Sequence, residues 1–142
     1  MKRILIMGLP GSGKSTLAEE LYTNYLDDVT WLNADLIRQE YDDWDFSEAG
    51  RLRQAHRMRN LADCSETKWV IADFVAPLPE IRQIYESNFT VWVDTITVGR
   101  YEDTNRIFIP PHACDIRVTE KDSKKWAEII NKKLVENYKH EV

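Results

Sequence analysis

A chain of 142 residues with a formal net charge of −5 has room for one domain with a real core and none for a second module. The negative balance provides no uniform field for a polyanion, which argues against general nucleic-acid binding, and no apolar run approaches the ~20 residues of a membrane span. The two cysteines, Cys64 and Cys114, lack metal-ligand spacing and disulfide density, as suits a reduced cytoplasm.

Short apolar runs alternate with longer periodic segments along the chain, the pattern of a parallel sheet covered by helices on both faces. In chain order the strands are "RILIMG", "VTWLN", "WVIADF", "TVWVD" and the weaker "DIRVT". Each is nearly continuous in apolar residues, as strands buried on both faces are. Helices are predicted over 14–26, 35–41, 47–66, 79–87 and 123–140. Ser47 has the character of an N-cap, Pro79 of a first-turn proline, and Ser123 or Asp122 of a second cap. The basic, apolar start "MKRILIMG" is too short for a signal peptide and runs directly into a glycine-rich loop. The expectation is a single α/β domain over 1–142 with a five-stranded, mostly parallel sheet. Ligands in such sheets sit beyond the carboxyl ends of the strands, which selects 8–14, 33–38, 73–77 and the segment from Asp94 onward.

The first of these segments reads "GLPGSGKST" and fits the pattern G-x-x-x-x-G-K-[ST] between a strand and a helix. Gly8, Gly11 and Gly13 let backbone N–H groups turn inward around phosphate oxygens, with Ser12 and Thr16 in the same cradle. A helix starting at Lys14 adds its positive N-terminal end. Lys14 should reach the β- and γ-phosphates of ATP, and the Ser15 hydroxyl should ligate Mg²⁺. The implied fold is the three-layer fold of P-loop nucleotide-binding proteins. A guanine-reading N-K-x-D is absent from the sequence, and the length fits a small-molecule kinase.

A kinase needs a carboxylate near its acceptor hydroxyl and donors that fix the acceptor. Asp35 follows the second strand, with Arg38 three residues later on the same helix face. This is a base beside an anion clamp, or Asp35 merely caps the short helix. Asp73 ends the third strand where a carboxylate would support Mg²⁺, or it is a strand-end turn residue. On the 47–66 helix at ~100° per residue, Ala55, Met58 and Ala62 fall within about 40° of Arg51. Arg51 therefore points with the apolar stripe, where an arginine is tolerable only beside an anion. Gln54 is close enough to share its pocket. Arg53 and Arg57 point the opposite way, as a solvated face. Trp44 or Phe46 is placed either to stack on a base or to staple onto the helix.

These residues resemble those of adenylylsulfate kinases. The family loop G-L-S-G-S-G-K-[ST]-T is similar to "GLPGSGKST", its D-G-D-N-V-R to "NADLIR", and its L-G-F-S-x-x-D-R-x-x-N to "WDFSEAGRLRQ". The family's I-S-P-Y/F-R-x-x-R resembles "VAPLPEIR", through Val75, Pro77 and Arg82. The resemblance implies transfer of the ATP γ-phosphate to the 3′-hydroxyl of adenylyl sulfate. It places the base-like acid on Asp35 and the substrate arginine on Arg38. It also gives the stacking ring to Phe46, the phosphosulfate arginine to Arg51, and further acceptor contacts to Gln54 and Val75. Thr119 falls in its adenine loop. Asn33 stands where the family often has an aspartate, and Ala76 where it has serine. The family's long lid is cut down to "TVGRYEDTNRIFIPP", in which Arg100 or Arg106 would replace the lid lysine. Two alternatives remain: a kinase for another small anionic acceptor, and an ATP-binding module without turnover. Oligomeric state is left open, with a homodimer as one option.

Overall fold

The computed structural model describes residues 1–99 and 101–138. Strands β1 (Lys2–Met7), β2 (Val29–Asn33), β3 (Trp69–Asp73), β4 (Phe89–Val93) and β5 (Ile116–Val118) form one sheet in the order β2-β3-β1-β4-β5. Every neighbouring pair is parallel. Each strand overlaps its predicted run. Parallel neighbours require crossovers, and these carry α1 (Lys14–Asn24), α2 (Ala34–Glu40), α3 (Glu48–Asp63), α4 (Pro79–Tyr85) and α5 (Glu102–Ile107). The chain then returns through α6 (Ser123–Tyr138); positions 139 and 140 of its predicted span lie outside the described residues.

Strand side chains alternate between faces, and this sorts the core into two layers. Ile4 and Ile6 of β1 pack with Leu17, Ala18 and Leu21 of α1 and with Ala127, Ile130 and Leu134 of α6. Leu5 and Met7 face the other way, onto Ile37 of α2, Ala55, Met58 and Ala62 of α3, and Ile81 and Tyr85 of α4.

Three predicted helix starts hold. The Ser47 side chain accepts the Gly50 N–H at 3.2 Å, and Pro79 opens α4. Asp122, not Ser123, receives the Lys125 N–H at 3.2 Å. Helix α5 has no counterpart among the predicted helices. It buries only Thr104, so no apolar stripe advertises it.

Leu21 is fully buried where α1 meets the sheet and α6. Leu21→Ala should cost about 2–5 kcal/mol, read as a lower urea midpoint with an unchanged slope.

Candidate active site

The loop after β1 is shaped by backbone contacts. A Cβ on Gly8 would stand 2.5 Å from the Val93 carbonyl oxygen, so no other residue fits between β1 and β4. Gly11 and Gly13 take φ of 87° and 104°, values that side-chain-bearing residues rarely adopt. Gly13 is the N-cap of α1, whose first residue, Lys14, is nearly buried and places Nζ 3.1 Å from the Leu9 carbonyl. The Ser12 hydroxyl is buried with no hydrogen-bond partner among the described residues, while Thr95 donates to the Ser12 carbonyl at 2.6 Å. Thr16 is exposed on the first turn of α1. An open cleft of about 500 Å³, lined by Asp94, Thr95, Ile96, Thr97 and Val98, lies alongside.

Asp73 closes β3 beside this loop and is 3% exposed. Its Oδ2 accepts from Trp31 Nε1 at 3.1 Å, Asn33 Nδ2 at 2.9 Å and the Ser15 hydroxyl at 3.2 Å. Burial pushes the carboxyl above its ordinary pKa, opposed by these donors and by the nearby charge of Lys14. A buried acid touching the Ser15 hydroxyl makes a donor set that fits Mg²⁺, which usually takes one or two protein ligands and completes its shell with phosphate and water oxygens. Asn33 also accepts the Leu36 N–H at 3.0 Å and so caps α2. Asp35 does not cap; it sits in the first turn, exposed to solvent. Neither Trp31 nor the double role of Asn33 was expected from the sequence. A tryptophan two positions before a strand's ligand-side end is the only signal that points to the former.

The segment 42–46 is folded against α3. Asp43 receives Arg53 and Arg57 at 2.8 and 2.9 Å, and these arginines hold its carboxyl well below the ordinary range. Arg57, far from lying on a solvated face, is mostly buried by this contact and covers the Tyr41 ring at 4.3 Å. Arg53 is about half exposed and also pairs with Asp45. The Asp45 carbonyl comes so close to Gly50 that a Cβ there would lie at 2.1 Å. Arg38 is buried, donates to the carbonyls of Asp43 and Asp45 at 2.9 and 3.2 Å, and lies 4.4 Å from the Phe46 ring centroid. Burial is the main influence lowering its pKa. Phe46 and Trp44 are each half exposed, 6.5 Å apart, and belong to neither core layer. They form an open pair of rings in place of a staple. Gln54 is buried, donating to the Ala34 carbonyl at 3.1 Å and accepting from Arg57 at 2.8 Å.

Arg51 differs from its neighbours. It is partly buried, and its guanidinium has no hydrogen bond or ion pair among the described residues. Its charge is near enough to Arg38 to oppose that residue's protonation. Val75 is partly buried beside the phosphate loop, where its carbonyl accepts the Gly8 N–H at 3.4 Å. Ala76 follows in a left-handed conformation. Its carbonyl is held by Arg82, which also bonds Ile109 at the end of the lid segment. Thr119 is exposed just past β5. Arg106 is exposed on α5 and paired with Glu102 at 2.7 Å. Arg100 lies outside the described residues.

The family model of adenylylsulphate kinase matches residues 2–118. The chain belongs to that family. Among solved structures it is similar to the Mycobacterium tuberculosis APS kinase CysC in complex with AMPPNP and APS (TM-score 0.73, 22% identity, 94% of this chain and 96% of that one). It is also similar to shikimate kinase from Aquifex aeolicus (0.68, 20%, covering 95% and 97%) and to a gluconokinase from Sinorhizobium meliloti (0.66, 15%, covering 99% and 97%). No curated sequence matches it. At these identities the likenesses show the fold, which is that of the P-loop kinases. Among the described residues no helix is long and apolar enough to cross a membrane.

Because the Asp43 pKa is depressed in the folded protein, its stabilising contribution is present above 3.8 and lost as pH falls below that ordinary value. Asp43→Asn should therefore be less stable than wild type at pH 7. Urea titrations across pH should show that difference shrinking once the pH drops below 3.8.

Proposed function

We propose that this adenylylsulfate kinase family member transfers the γ-phosphoryl group of ATP to the 3′-hydroxyl of adenylyl sulfate. The acceptor oxygen forms a bond to the γ-phosphorus as the bond to the β,γ-bridging oxygen breaks. ADP leaves, and Asp35 orients the hydroxyl and receives its proton. Loop amides and Lys14 stabilise the transferring group, with Ser12 Oγ and Thr16 available to the phosphates. Ser15 and Asp73 would hold Mg²⁺, which when bound offsets the negative charge of the phosphates. Phe46 packs on the acceptor ring, with Gln54, Val75 and Thr119 around the two nucleotides and Arg106 or Arg100 in the lid. The product is an activated sulfate donor, and the cytoplasm is the compartment this chemistry implies.

The observation that carries this reading is Arg51. A guanidinium held partly out of water beside Arg38, with no counter-ion among the described residues, favours an anion from outside the chain. One observation favours a second reading, transfer to another small anionic acceptor such as a nucleoside monophosphate, a sugar acid or a 5′-hydroxyl nucleic-acid end. Arg38 already donates to the carbonyls of Asp43 and Asp45, which leaves less of it for a phosphosulfate.

ADP release from MgATP should respond to adenylyl sulfate and not to a panel of these other acceptors. Lys14→Ala should raise the barrier by roughly 3–4 kcal/mol, as loss of one aimed donor does. Arg51→Ala should weaken acceptor use by about 1.5–3 kcal/mol, with the KM for ATP nearly unchanged. Turnover with a different acceptor alone would replace the substrate and keep the chemistry. Silence across the panel would favour an ATP-binding module.

A further inference from the structure

We propose that Asn33 is a positioning residue that couples the pair holding Mg²⁺, Ser15 and Asp73, to the helix carrying Asp35. The inference rests on the kinase reading above and deepens it. Asn33 ends β2 directly opposite Asp73 in the parallel ladder. Its Nδ2 donates to Asp73 Oδ2 at 2.9 Å and to the Ser15 hydroxyl at 3.1 Å, while its Oδ1 accepts the Leu36 N–H at 3.0 Å. The amide orientation follows from the partners: a backbone N–H needs an acceptor, and a carboxylate needs a donor.

Asn33 and Trp31 together load one carboxylate oxygen. Asp73 Oδ2 takes Trp31, Asn33 and Ser15, whereas Oδ1 has only Ser15, at 3.4 Å. The donors thus fix the carboxylate's rotation and leave Oδ1 for a water or cation. The same side chain closes the first turn of α2, so any shift of Ser15 or Asp73 toward a cation passes to Asp35 through one residue. An aspartate at this position would still cap α2, but it would turn the donor into a second carboxylate against a buried one. The asparagine lets the site stand without metal.

Two variants separate coupling from capping, with readouts that need no turnover. Asn33→Ser keeps a good cap and removes the long donor. It should be less stable than wild type in urea without metal, because buried Asp73 loses a donor, and should lose about tenfold or more of the ADP affinity gained on adding Mg²⁺, measured by calorimetry. Asn33→Asp also keeps the cap; it should be less stable than wild type without metal and regain stability with Mg²⁺ alone. A wild-type Mg²⁺ gain in Asn33→Ser, or wild-type metal-free stability in Asn33→Asp, would overturn the coupling. If Asn33→Ser does not fold, Asn33→Asp decides alone. If wild type binds ADP but gains nothing from Mg²⁺, the metal role of Ser15 and Asp73 falls together with the coupling; a gain in wild type with unaffected variants sinks the coupling alone.

Discussion

The phosphate end of the site is arranged around a carboxylate buried at the carboxyl end of β3. Asp73 sits on β3 between β1 and β2, where desolvation opposes its charge and hydrogen-bond donors must offset that cost. They come from two elements: Trp31 and Asn33 on β2, and Ser15 at the start of α1. The strand order that puts β3 beside both partners is thus also the order that satisfies the acid. On the other side, the Val93 carbonyl leaves room for no side chain at Gly8.

The arginines around the segment 42–46 follow a different principle. Five arginines lie on or near α3, and the chain supplies partners for four of them. Arg53 and Arg57 share Asp43, Arg59 has Asp63 and Glu86, and Arg38 has two loop carbonyls. These contacts fold the segment 42–46 and present Trp44 and Phe46 to solvent. Among the described residues, Arg51 is left over. A cation with no partner there, where its neighbours each have one, is better evidence for an external anion than the number of positive charges.

The sheet was legible because its strands announce themselves as nearly unbroken apolar runs, although only β3 is buried along its whole length and the edge strands β2 and β5 are not. The phosphate loop was legible because its chemistry demands glycine, lysine and serine at fixed spacing. The helical wheel placed Arg51 with the apolar stripe, and the structure agrees. It failed for Arg57 because a wheel describes one helix and cannot register a loop folding over it. The same blindness hid the contacts of Arg38. Asp35 could be read as a cap until the structure gave that role to Asn33, and the difference lay in a hydrogen bond two residues away. Helix α5 escaped because a short helix with one buried side chain leaves no periodic trace.

The two halves of the site are therefore held by forces that respond differently to their surroundings. The phosphate cradle is main chain, packed and hydrogen-bonded, and dissolved salt barely weakens it. The segment 42–46 is held partly by the ion pairs of Asp43 and of the well-exposed Asp45, and counter-ions compete for exposed pairs within a Debye length of about 8 Å at physiological ionic strength. Rising ionic strength therefore loosens the segment 42–46 before it loosens the phosphate loop.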